Sequence, residues 1–250
     1  MTAKVAARSG FFLCMSLGFL AIALIGFSPT FFIPLARDTF ADPHGVRDAP
    51  PVIYVHGALV FAWLIFLIAQ ASLIRVRNVS VHRRLGWLGA LLGLAVVISG
   101  VAVSFYATRR DLATGGGDVV LGDFVGLLVT FLIFGSLIAA AMVLRRDSES
   151  HKRLLLLATI WVLGPAWLRF RYVFPAVDSP QVVFSIIADS LIVVAIARDL
   201  MAYKRVHPVY VWVGGFIIAY DTIYLSSAGL HFQSAVWLRV ARWLLGDAAV

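Results

Sequence analysis

Charge is the scarcest commodity in this chain of 250 residues: Lys, Arg, Asp and Glu together make up 14%, where a soluble domain carries about 25%. Hydrophobic residues reach 61% and mean hydropathy is +0.93, a surplus of apolar surface that no water-soluble fold can bury, so a soluble globular enzyme is excluded. Cysteine is nearly absent. Cys14 stands alone in the first apolar run, so the chain has no intramolecular disulfide and no cysteine metal centre. Enzyme signatures are missing as well: there is no Gly-x-Ser-x-Gly, no His-Glu-x-x-His and no Walker lysine. The three lysines (Lys4, Lys152 and Lys204) all lie outside the seventh apolar segment, which excludes a rhodopsin-type retinal Schiff base. No enzyme class is singled out.

What is present is long apolar sequence. A 30 Å hydrocarbon layer needs about 20 apolar residues in a helix. Residues 9–36, 49–74, 85–108 and 124–144 are free of charge, and three later segments are apolar but interrupted by Arg169 and Arg171, by Asp189, and by Asp221. The expected fold is all-α: a polytopic bundle of seven spans at about 10–35, 51–74, 85–107, 122–144, 153–174, 180–203 and 207–229, forming one transmembrane domain over 1–250. The first run has the cationic flank of a signal peptide, but it is too long for one and no small-residue cleavage motif closes it. It is read as a retained helix.

The net charge of +8 would suggest nucleic-acid binding in a soluble protein. Here the cations border the spans, where they meet anionic phospholipid headgroups, and no nucleic-acid partner is expected. Arg75, Arg77, Arg83 and Arg84, then Arg145, Arg146, Lys152 and Arg153, then Arg198, Lys204 and Arg205 fall in alternate connections. By the positive-inside rule the N-terminus is cytoplasmic, as expected in a bacterial inner membrane. Beyond the last span, residues 231–245 set Arg239 and Arg242 roughly opposite Trp237 and Trp243, an interfacial amphipathic helix. Gly115-Gly116-Gly117 lacks the lysine of a phosphate loop and reads as a turn. His82-Arg83-Arg84-Leu85, His151-Lys152-Arg153-Leu154 and Lys204-Arg205-Val206-His207 open the third, fifth and seventh helices, so the last three hairpins read either as copies of one unit or as convergence on the same charge rule.

Ionisable groups inside spans cost at least about 2.5–3.5 kcal/mol each and point to function. Arg169, Asp189 and Asp221, with His56 near the outer end of the second helix, define a candidate ligand site in the outer half of the bundle. Arg169 would hold a small anion, Asp189 or Asp221 would neutralise it, and His56 would exchange protons. Two structural readings stand beside this: an ion pair that only sets helix packing, and arginines snorkelling to the interface. His82, His151 and His207 share a depth at helix starts, the arrangement axial ligation of a b-type haem requires. Adjacent arginine and lysine suit lipid phosphate better than a metal cation.

His56-Gly57, Trp63, Gln70, His82-Arg83-Arg84-Leu85-Gly86-Trp87 and His151-Lys152-Arg153-Leu154 through Pro165 and Arg169 resemble a group of bacterial multi-pass inner-membrane proteins to which no activity is attached. The pattern is loosely similar to b-type haem membrane cytochromes, which implies histidine-ligated haem b. Three functions follow as expectations: a small-ligand or proton-coupled binding or transport protein, a haem-b redox protein, and a membrane assembly factor without chemistry of its own.

Overall fold

A computed structural model describes residues 3–37, 49–226, 232 and 234–246. His44 and His231, the external histidines that could partner His56 as haem ligands, lie outside them. Among the described residues the regular elements are all helical. Six helical segments are long and apolar enough to cross a membrane, and Tyr210–Ile223 is a shorter apolar helix. The chain is therefore a polytopic integral membrane protein.

Helix α1 (Ala3–Phe27) continues through a π-helical turn at Ser28–Phe32 into α2 (Ile33–Arg37). Next come α3 (Pro51–Arg75), α4 (Val79–Ala113) and α5 (Gly117–Val143). The expected fifth span is broken into α6 (Ser148–Val162), α7 (Gly164–Leu168) and α8 (Phe170–Val173). Then follow α9 (Pro180–Tyr203), a π-helical turn at Tyr210–Gly214, α10 (Gly215–Ser226) and α11 (Ala235–Leu245). The break at α6–α7 has a local cause. Pro165 has no N–H to give and its ring crowds the carbonyl one turn back, so the chain tightens, with Ala166 N–H donating to Leu163 O (2.9 Å). Between α4 and α5, Gly115 (φ 92°) and Gly117 (φ 59°) take left-handed backbone that glycine adopts without strain. The glycine run thus forms the turn between the two helices.

Consecutive helices pack as antiparallel neighbours, α3 on α4, α4 on α5 and α5 on α6, while α1 closes against α3, α6 and α7, and α9 against α6 and α7. In the most apolar 18-residue stretch of Ser148–Val173, 67% is buried within the protein, against 17–39% in the corresponding stretches of the other five spans. It is the central helix, and its lower hydropathy follows from contacting protein more than lipid. Lipid tails are as apolar as leucine, so packing and polar contacts must hold these helices together. Trp63 shows how: its ring meets Phe134 edge-on at 5.5 Å and its indole N–H donates to Thr159 Oγ1 (3.3 Å), so α3, α5 and α6 meet at one residue.

Helix α11 buries Leu238, Ala241 and Leu245 against Leu121, Phe124 and Val125 of α5, leaving Trp243 exposed. Arg242 donates to Asp118 at 2.6 Å, with both side chains about half exposed. Exposed pairs contribute about 0–1 kcal/mol. Arg242→Ala should therefore shift the melting temperature of detergent-solubilised protein by no more than about 4 °C; a loss comparable to that of a buried ion pair would show that this contact fastens α11.

Candidate functional site

Two polar groupings lie along the bundle axis, and the helix register places each. At the end where the turns 76–78, 144–147 and 204–207 gather, the start of α6 meets the end of α9. Arg153 donates from Nε and Nη2 to both carboxylate oxygens of Asp199 (2.7–2.9 Å), and both side chains are 1% exposed. Arg153 Nη1 also donates to Glu149 (2.7 Å), Arg198 donates to Asp199 (3.0 Å), and Lys152 bonds Glu149. Aromatic rings surround the cations: Tyr203 and Tyr210 lie over Arg153, and Phe11, Phe12 and Tyr203 over Arg198. Arg153 and Arg198 read in the sequence as boundary charges. The one signal against that reading was Asp199 beside Arg198, an acid in an otherwise basic connection.

His207 borders this network. Burial pushes its imidazole below the ordinary range, and the nearby Arg153 guanidinium pushes it the same way. Its Nδ1 accepts from the Val209 N–H (3.3 Å), so it caps the following helix. His82 and His151 behave differently. Each is the fourth residue of its helix, after a capping Asn78 that accepts from Val81 N–H and a capping Asp147 that accepts from Glu149 and Ser150 N–H. The Ser150 hydroxyl also donates to Asp147 and holds that carboxyl below the usual range. The first two hairpins thus share a cap-to-histidine spacing that the third lacks.

His82 and His151 are electrostatic neighbours, and the His82 ring faces the Gln70 backbone carbonyl. His151 Nδ1 donates to Ala141 O (2.8 Å). Gln70 is 8% exposed; its amide nitrogen and oxygen, and His82 Nδ1, are buried without a hydrogen-bond partner among the described residues.

The second grouping is at mid-depth. Asp189 lies ten residues before Asp199 on α9, roughly 15 Å along the axis; Asp221 follows Tyr210 by eleven, roughly 16 Å. Tyr210 and Asp199 both meet Arg153, so the two carboxyls arrive at one level, where they are electrostatic neighbours.

Arg169 and His56 belong to other contacts. Arg169 Nη1 donates to Pro165 O (2.9 Å) and the guanidinium lies 4.3 Å from the Phe27 ring centre. His56 Nδ1 is 3.0 Å from Ser99 Oγ, and the imidazole meets Phe131 edge-on at 5.6 Å. Because the Ser99 hydroxyl donates to Val96 O (3.2 Å), it accepts from His56, which places the proton on Nδ1 and the lone pair on Nε2. Of the four residues expected to form one site, the structure joins the two aspartates. Among the described residues no group of three or more His, Cys, Asp or Glu side chains is placed to hold a metal ion. No known protein family, no curated protein and no solved structure matches the chain.

Proposed function

We propose that the chain is a proton-coupled binding or transport protein of a bacterial cytoplasmic membrane, with Asp189 and Asp221 as its proton site. The observation that carries this reading is the juxtaposition of two carboxyl groups, one on α9 and one on α10, inside apolar helices. Each aspartate at such depth costs about 2.5–3.5 kcal/mol, which packing alone does not require. Two carboxyls in contact hold one proton between them, because like charges so close do not both form. Gain or loss of that proton changes the charge between α9 and α10. A π-turn at Tyr210–Gly214 opens the helix that carries Asp221, and such turns recur at functional sites. In this reading Tyr210–Ile223 completes a seventh span, and the basic turns and the N-terminus are cytoplasmic.

The test is infrared spectroscopy of the membrane-reconstituted chain, together with proton flux into vesicles holding a pH-sensitive dye. The wild type should show a protonated-carboxyl C=O stretch that disappears in both Asp189→Asn and Asp221→Asn. Flux should fall in each, and the double variant should be no worse than either single one, because the pair acts as a unit. Retention of both band and flux in the two single variants would refute the proposal.

A further inference from the structure

The cations at the basic end of the bundle divide into two groups by what neutralises them. Where α6 meets α9, Arg153 and Arg198 share Asp199, and Glu149 serves Arg153 and Lys152. On the side of α4 and α5, Arg83, Arg84, Arg145 and Arg146 form no ion pair among the described residues. Residues 71–87 contain no Asp or Glu. Asp147, the acid nearest in sequence to Arg145 and Arg146, is held by the start of α6 through the Glu149 and Ser150 N–H groups and the Ser150 hydroxyl. One side of the basic end is neutralised from within; the other is not.

The uncompensated side has a definite shape. Arg145 reaches from the end of α5 to α4, where its guanidinium lies 5.0 Å from the centre of the Trp87 ring, while its Nη1 donates to Met142 O (3.0 Å). The other Arg145 N–H groups have no hydrogen-bond partner among the described residues. Arg83 and Arg84 precede Trp87 by four and three residues, so they flank it one turn nearer the basic end, and both are exposed. In the other direction Leu91, Leu94 and Ile98 continue the Trp87 face at helical spacing. All four of these apolar residues are 54–64% exposed, so the described helices leave the face open. From Trp87 to Ile98 is roughly 16 Å, about the depth of one leaflet. Cations, an aromatic ring and an open apolar strip thus follow one another in the order of head and tail in a phospholipid. A zwitterionic choline headgroup would bring its own ammonium toward the arginines, whereas a headgroup with net negative charge meets only opposite charge.

We infer that Arg83, Arg84 and Arg145 hold the phosphodiester of an anionic phospholipid whose acyl chain lies along the Trp87–Ile98 face of α4. The site belongs to this side of the basic end and not to the α6–α9 side, where the chain's own carboxylates occupy the arginines. The inference is independent of the carboxyl pair, and its test does not involve proton flux.

The experiment reconstitutes the full chain in vesicles of equal parts phosphatidylcholine and phosphatidylglycerol, with brominated acyl chains on one lipid or the other. Bromine quenches tryptophan on contact, and the difference between each protein and its Trp87→Phe counterpart isolates the signal of Trp87. In the wild type, brominated phosphatidylglycerol should quench Trp87 far more than brominated phosphatidylcholine. Each arginine removed should lower that preference about five-fold, so Arg83→Gln/Arg145→Gln should bring the two lipids close to parity. These side chains are exposed, so the melting temperature should not change. Lys204→Gln/Arg205→Gln removes the same charge from the α9 side and should leave the preference intact. The inference is overturned if both lipids quench the wild type equally, if Arg83→Gln/Arg145→Gln keeps the preference, or if the Lys204 and Arg205 changes abolish it as fully, which would make it a property of net charge. Trp87 shielded from both lipids would also overturn it and give this face to a second copy of the chain.

Discussion

Replacing Asp199 by alanine should destabilise the bundle by about 3–5 kcal/mol, the cost of removing one partner from a buried ion pair. Both side chains of the Arg153–Asp199 pair are 1% exposed, so water cannot take over the charge that is left. Asp199 also receives a bond from Arg198 (3.0 Å), whereas Arg153 retains Glu149 (2.7 Å) in its absence. The two truncations therefore differ. Asp199→Ala removes the carboxylate from two arginines, and Arg153→Met leaves Asp199 with Arg198, so the first should be the more damaging. Unfolding in mixed micelles at graded denaturing detergent gives the order directly. The double variant Arg153→Met/Asp199→Leu should recover much of the loss, since apolar replacement of a whole buried pair is often close to neutral. An Asp199→Ala protein as stable as the wild type would show that this end of the bundle is open to water. The network also ties α6 to α9, and through the aromatic rings to α1 and the π-turn, so its loss should loosen the basic end before the mid-depth carboxyls.

Gly26→Leu should cost about 1–3 kcal/mol or more, the usual range for overpacking. A methyl group at Gly26 would press on the backbone carbonyl of Ala166 in α7. Backbone cannot swing away as a side chain can, so α1 and α7 must separate. That movement would also disturb Arg169, which rests on Phe27 next door. In a bilayer the effect is sharper than in water, because close approach of small residues supplies much of helix association where no hydrophobic force between helices acts. Gly18→Leu is the control: nothing lies within 4 Å of an added methyl group there. Equal melting temperatures for the two leucine variants would contradict the packing of α1 on α7.

The sequence by itself determined the class. Long uncharged runs have one low-energy environment, and the helix is the only backbone that satisfies its own hydrogen bonds inside lipid. Spans at 51–74 and 180–203 were readable to within a residue, because charge and proline mark their ends. The fifth was legible in position but not in shape, since Gly164-Pro165 permits several geometries and packing on α1 selects one. The candidate site was only half legible. Asp189 and Asp221 stood out because each is an isolated acid in apolar sequence, but their partnership depends on which faces of α9 and α10 meet. Arg153 and Arg198 were hidden among boundary cations, where composition cannot separate a lipid-facing arginine from one clamped in the core. Gln70 gave no signal beyond one polar residue in an apolar helix. Depth is a property of one helix and can be counted along the chain. Pairing is a property of two helices, and tertiary structure alone decides it.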